Sequence, residues 1–283
     1  SEMCIRDRGE PGFYAFGPLR RQIGTCTLRG RNQKTGTCKM NLVKTLLGAA
    51  AVSAIASTAF AADTIRLGTE GAYPPYNFLN DKGEVDGLER EIGDEACKRA
   101  GLTCTWVTND WDSIIPNLVS GNYDVIVAGM SVTDERDKVI DFTSQYVPPS
   151  PSAYMGLAGS TLDTAGGVIA AQVNTIQAGH VAASGATLVE FATPDETIAA
   201  VKNGEADAVL ADKDYLQPIV TESNGEYAFV APDVRIGGGV GMGVRESDGE
   251  LKAKLSAAVD AMKADGTLNK LLAKWFKENP PQW

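Results

Sequence analysis

Arg136 ends a stretch, NYDVIVAGMSVTDER at 122–136, whose residue types suit an anion. Val125, Ile126, Val127 and Ala128 form a continuous apolar run, the pattern of a strand buried on both faces of a parallel sheet. Gly129 stops the run. Ser131, Thr133, Asp134 and Glu135 then read as a helix start, hydroxyl caps followed by acids in the first turn. A strand feeding a helix N-terminus aims unpaired backbone N–H groups at one spot, at the carboxyl end of the sheet where open α/β folds hold ligands. The planar, permanently charged guanidinium of Arg136 at that spot matches a carboxylate. The alternative is a surface Arg paired with Asp134 or Asp137.

A second strand end of the same kind lies further on. G-x-x-D-V-I-V-A at 121–128 is matched by G-x-x-D-A-V-L-A at 204–211, and in each copy an Asp (Asp112, Asp195) nine residues before the Gly opens a helix. Asp212 follows the second run where Gly129 follows the first. If the two halves face each other, Arg136 and Asp212 make a clamp for a zwitterion, carboxylate one way and ammonium the other. Alternatively, Asp212 merely caps the helix that starts there.

The elements that must position these groups alternate strand and helix, which implies an α/β fold. A strand is expected over 64–69, followed by a Pro-stiffened loop at 70–76, a turn at 80–83 and a helix over 87–100. A strand over 104–107 and a helix capped by Asp110 and running to Val119 complete the first half. Three prolines at 146–152 read as a linker. The second half repeats the plan with strands over 167–172, 187–191 and 206–211 and helices over 175–183 and 195–203. A strand over 240–244 and amphipathic helices over 251–262 and 268–276 follow, the helices docking on one lobe.

Residues 40–61 do not belong to this globule. A short basic start, an apolar stretch over 46–55 and Ala59-Phe60-Ala61 read as a secretory signal peptide cleaved near Ala61, too short to span a membrane. No Cys follows the cleavage site, which argues against a lipid anchor. Residues 1–39 open on SEMCIRDR, which resembles translated sequencing adapter, and the segment is expected to be an artefactual, disordered leader. Residues 1–61 hold 9 of the 26 Lys+Arg and 3 of the 36 Asp+Glu, leaving 17 against 33, a net of −16. Such an acidic chain excludes nucleic acid and anionic membrane as general partners. Beyond the leader only Cys97 and Cys104 remain, an even pair in an exported chain, and a disulfide is expected. With no His nearby they fall short of a zinc shell. No metal and no cofactor is expected.

The ordered series GTEGAYPPY at 68–76, GLEREI at 87–92, CKRAGLTCTWV at 97–107, WDSIIP at 111–116, SVTDER at 131–136, DAVLAD at 207–212 and DGTL at 265–268 carries a resemblance. Over nearly all of 62–283 the chain resembles the polar-amino-acid family of periplasmic solute-binding proteins of ABC importers, in particular its lysine/arginine/ornithine-, histidine- and opine-binding members. The resemblance implies a type II periplasmic-binding-protein fold: two α/β lobes, 62–148 plus 238–283 and 149–237, joined by a two-crossing hinge with the ligand cleft between them. It also implies that Arg136 holds a ligand carboxylate, Asp212 holds the ammonium, and Ser131 and Thr175 supply hydroxyls. Tyr73 and Trp111 become aromatic walls, and Glu70 faces the ligand side chain. Ala128-Gly129 and Val173-Asn174 depart from the Ser-Ser and Gly-Ser of the cationic-amino-acid binders, leaving backbone contacts at Ala128 and Gly129.

The implied function is a monomeric periplasmic protein that captures an amino acid, basic or opine-like, and delivers it to ABC permease subunits. The rival is a cyclohexadienyl-dehydratase-like enzyme on the same scaffold, with Glu70 as its acid or base. His180, the sole histidine, sits mid-helix and leaves no Ser-His-Asp arrangement. The Gly-rich 236–243 fits neither a dinucleotide fingerprint nor a P-loop, and reads as the return crossing between lobes. A sensor domain would need a tether, and no apolar span follows residue 61.

Overall fold

The computed structural model describes residues 64–278 and 280–283, so the leader expected at 1–39 and the signal peptide and cleavage site expected within 40–61 lie outside the described residues. Two five-stranded sheets organise the rest. The first has the order Cys104–Thr108, Ile65–Thr69, Val125–Ile126, Gly243–Val244, Asp141–Phe142. Its first three strands are parallel, and Gly243–Val244 is antiparallel to both neighbours. The second has the order Thr187–Phe191, Val168–Gln172, Ala208–Asp212, Ser152–Leu157, Tyr227–Phe229, again three parallel strands, with Ser152–Leu157 antiparallel to both of its neighbours. Helices cover both sheets, and the result is two α/β lobes of the same plan.

The sequence repeat has a structural counterpart. In the first lobe the Arg66 N–H donates to Asp124 Oδ2 at 2.9 Å, and the Asp124 N–H returns to the Arg66 carbonyl. In the second, the Val168 N–H donates to Asp207 Oδ2 at 2.8 Å and the Asp207 N–H returns to Val168. The repeated Asp therefore clips the start of the central parallel strand, Ile65–Thr69 or Val168–Gln172, to the strand it precedes, which sets the register of both.

In the fourth strand position the two lobes exchange chain. Ser152–Leu157 enters the second sheet directly after the first crossing, and Gly243–Val244 re-enters the first sheet after the return crossing. The crossings pair with each other through Val147 with Val240 and Ser152 with Val234. A Cβ on Gly239 would run into the Val147 carbonyl, so the glycine run is what lets the two crossings lie against each other. The last helices, Gly249–Ala264 and Thr267–Trp275, bury Leu255, Val259, Met262, Leu268 and Leu272 in one core with Leu88, Ile92 and Val125. The chain's end thus completes the first lobe. Cys97, in the helix Leu88–Ala100, is bonded to Cys104 at the start of the next strand.

Several local expectations need correction. No α-helix follows Ser131: there is one 3-10 turn at Arg136–Lys138. Thr133 does cap a turn, its Oγ1 accepting the Arg136 N–H at 3.2 Å and its carbonyl the Asp137 N–H at 2.9 Å, but no longer helix follows, and the residues before it are tied to the return crossing. Ser131 bridges Val240, the Val132 N–H reaches the Gly239 carbonyl at 3.0 Å, and the Gly238 N–H returns to Val132. For the same reason the run at 125–128 pairs regularly only over Val125–Ile126 before bending at Gly129, whose φ is +62°. The strand expected over 240–244 is regular only at Gly243–Val244. The loop at 70–76 hides a strand, Ala72–Tyr73, in a small sheet with Asn77–Leu79 and Val85–Asp86. Ser152–Leu157 and Tyr227–Phe229 carried no clear alternation and were not anticipated.

Candidate functional site

The carboxyl ends of the two sheets face each other across a cleft. Glu70, Tyr73, Trp111, Ala128, Gly129, Ser131 and Arg136 line it from the first lobe, and Thr175 and Asp212 from the second. All nine residues singled out from the sequence thus meet in one place. Gln172, Ile176 and Gln177 join them from the second lobe. The carboxyl-end rule that picked Gly129 would have found Gln172, the last residue of Val168–Gln172, had it been applied to that strand as well.

Arg136 turns inward. Its Nη1 donates to the Ser131 carbonyl at 2.9 Å, Nη2 reaches the Asn174 carbonyl of the other lobe at 3.4 Å, and the guanidinium lies 5.4 Å from the centre of the Trp111 ring. Asp134 and Asp137 are exposed and hold no such contact, so the surface-pair alternative fails. Burial lowers the Arg136 pKa to about 10, opposed by Asp212 across the cleft. Facing it is the start of the helix Ile176–Ser184, capped by Thr175, whose Oγ1 accepts the Ala178 N–H at 3.1 Å and donates to the Gln172 carbonyl at 2.7 Å. The helix N-terminus at this cleft therefore comes from the second lobe, not from the stretch after Ser131. The Thr175 hydroxyl is spent on the cap, and that helix start offers backbone N–H groups to an anion.

Asp212 precedes the helix Lys213–Glu222 but makes no side-chain cap. Its Oδ2 accepts the Tyr73 hydroxyl at 2.9 Å and its Oδ1 accepts Gln177 Nε2 at 2.9 Å. Burial pushes its carboxyl up to about 6, against the pull of these donors and Arg136. Tyr73 is stacked on Tyr215, ring centroids 4.1 Å apart. Glu70 accepts Gln172 Nε2 at 2.6 Å across the cleft. Burial raises its carboxyl to about 7, and Asp110, Asp195 and Glu89 push the same way. The cleft thus has a cationic end at Arg136, an acid at Asp212, and a second acidic end around Glu70.

Two α/β lobes of one plan, joined by a double crossing and closing charged strand ends over a shared cleft, define a two-lobed solute-binding protein of the type II periplasmic class. The chain belongs to the bacterial extracellular solute-binding proteins, family 3, whose family model matches residues 65–278. It is 32% identical over 247 residues to the L-arginine-binding protein of Pseudomonas aeruginosa, covering 82% of this chain and 95% of that one. It is 31% identical to the lysine/arginine/ornithine-binding periplasmic protein of Escherichia coli, covering 80% and 93%. Among solved structures it is similar to a periplasmic His/Glu/Gln/Arg/opine family-binding protein from Silicibacter pomeroyi in complex with lysine. That match has 69% identity and a TM-score of 0.76, over 78% of this chain and 100% of that chain. The resemblance drawn from the motifs is borne out, and with binding proteins as its relatives the chain is a non-enzymatic solute-binding protein.

Proposed function

We propose that this protein captures a basic amino acid, lysine, arginine or ornithine, or an opine built on one of them, and delivers it to the permease of an ABC importer. The observation that carries the reading is the sequence of charges along the cleft. Arg136 and the start of the helix Ile176–Ser184 suit the α-carboxylate, Asp212 the α-ammonium, and Glu70 is left for the distal group. A carboxylate in a closing cleft is costly unless a cation meets it. The acids that raise the Glu70 pKa make the same end favourable for a positive tail. The face of Tyr73 adds cation–π attraction of about 1–2 kcal/mol for a desolvated cation. Relatives named for arginine and for lysine/arginine/ornithine, and a lysine complex of a 69% identical protein, support the choice.

The rest of the reading follows the family. The lobes are 62–148 plus 238–283 and 149–237, the mature protein is a periplasmic monomer released near Ala61, and closure occurs about the two crossings. Calorimetric titration with arginine, lysine, ornithine, octopine, glutamine and glutamate tests the ligand. Tight binding of at least one basic ligand is expected; tight binding of glutamate alone would show that Glu70 does not meet the tail.

A further inference from the structure

Glu89 lies outside the ligand contacts just proposed, yet it is fully buried, in the first turn of the helix Leu88–Ala100. Among the described residues its carboxylate meets three donors and no cation. Oε1 accepts the Gly129 N–H at 2.7 Å and the Tyr146 hydroxyl, and Oε2 accepts Asn77 Nδ2 at 2.6 Å. Asn77, also fully buried, uses its other end to accept the Gly71 N–H at 2.7 Å. Gly129 lines the cleft, and Gly71 follows Glu70 in the chain. Tyr146 stands at the first crossing, where its N–H reaches the Val240 carbonyl of the return crossing at 2.7 Å and its own carbonyl accepts Trp283 Nε1 at 3.0 Å. One carboxylate therefore holds the Gly129 wall directly, the Glu70 wall through Asn77, and the first crossing through Tyr146.

We propose that Glu89 is the positioning residue of the cleft: it fixes both first-lobe walls and the hinge entry as one unit, so that ligand affinity depends on it without contact. This rests on reading the cleft as the amino-acid site. The network has a directional logic. Three donors converge on Glu89, so the acid accepts everywhere, and Asn77 is oriented by having to donate to Glu89 and accept from Gly71. Glu89→Gln breaks this without changing shape. An amide NH2 must then face either the Asn77 NH2 or the Gly129 and Tyr146 donors. Flipping Asn77 to accept from it turns the Asn77 NH2 onto the Gly71 N–H. A donor–donor clash remains in every arrangement.

Exchanging the two chemistries removes the clash. In the double variant Glu89→Gln with Asn77→Asp, the new amide accepts from Gly129 and Tyr146 and donates to the new acid, which accepts from Gly71. Lysine affinity by calorimetry should fall about tenfold or more in Glu89→Gln, fall comparably in Asn77→Asp, and return to within about threefold of wild type in the double variant. In the ligand-free chain, hydrogen exchange at the Gly71 and Gly129 amides should quicken in the single variants and slow again in the double. Should Glu89→Gln alone fail to fold, a folded double variant supports the exchange of roles. A double variant no better than the singles, or a Glu89→Gln chain that binds lysine within about twofold of wild type, overturns the proposal. A wild type that binds no basic amino acid would instead defeat the ligand reading, while the exchange measurement still reads the positioning by itself.

Discussion

The Tyr73 hydroxyl donates to Asp212 Oδ2 at 2.9 Å and accepts the Asp212 N–H at 3.3 Å, so a phenol of one lobe holds both the side chain and the backbone of the other lobe's acid. With Gln172 on Glu70, it makes the cleft residues themselves the latch between the lobes. Tyr73→Phe keeps the stack on Tyr215 and removes this tie. The ligand-free variant should then show a larger radius of gyration in small-angle scattering than the ligand-free wild type, and an unchanged curve would mean that the lobes are held together elsewhere.

Arg136→Ala should lose lysine binding by about 2–5 kcal/mol, the usual consequence of truncating one partner of an enclosed charged pair. The ligand-free variant should melt no lower than wild type, because the guanidinium is buried against carbonyls and an indole with no carboxylate of its own. Calorimetry and a thermal melt on the same sample check both halves. Binding within a few-fold of wild type would remove Arg136 from the carboxylate seat.

Affinity for lysine should depend on pH with a defined sign. Burial raises the Glu70 carboxyl to about 7 and the Asp212 carboxyl to about 6, and a bound cation favours their ionised forms. Affinity is therefore full above about pH 8 and declines as pH falls through the Glu70 and then the Asp212 value. In the ligand-free protein the sign reverses. A carboxyl raised above its unfolded value holds its proton more tightly in the fold, so stability falls as pH rises from the ordinary value of 4.5 toward 7. Titrations across this range should show the decline, and Glu70→Gln should flatten its upper part.

The repeated clips should differ in weight. Asp207→Ala removes the carboxylate acceptor of the solvent-accessible Val168 N–H and should cost about 1 kcal/mol. Asp124→Ala also removes the ion pairs of Asp124 Oδ1 with Arg66 and Arg245 at 3.0 and 3.1 Å; both arginines are partly exposed, and Arg245 keeps Asp248 at 2.7 Å, so the variant should cost about 2 kcal/mol. Urea unfolding with an unchanged slope would give both values, and equal costs would show that the arginines add nothing.

Much of the site was legible because strand ends are local facts. An apolar run stopped by Gly129, its repeat stopped by Asp212, and a Pro-rich loop after Thr69 mark where sheets present groups to a ligand, and the nine residues chosen on that basis and on family resemblance do line one cleft. Helices with a strong period, such as Leu88–Ala100 and Pro194–Asn203, were likewise readable, the latter ending at the Gly204 that opens the repeat.

What the tertiary structure alone decided is who satisfies each donor and each charge. Ser131 to Glu135 has the composition of a helix start, yet Ser131 and Val132 pair with Val240 and Gly239 of the return crossing and Thr133 caps only a single turn, so the anion-seeking helix end comes from Ile176–Ser184 instead. Asp212 looks like a cap and is a cleft acid, because Tyr73 and Gln177 reach its oxygens. Glu89 looks like an ordinary first-turn acid and is buried among three donors drawn from Asn77, Gly129 and Tyr146. Periodicity and capping preferences are set by neighbours in sequence and survive as sequence signals. Hydrogen-bond partners and desolvation are set by neighbours in space, which for these residues lie far off in the chain, in another part of the same lobe, in the return crossing or, as with Tyr73 and Asp212, in the opposite lobe.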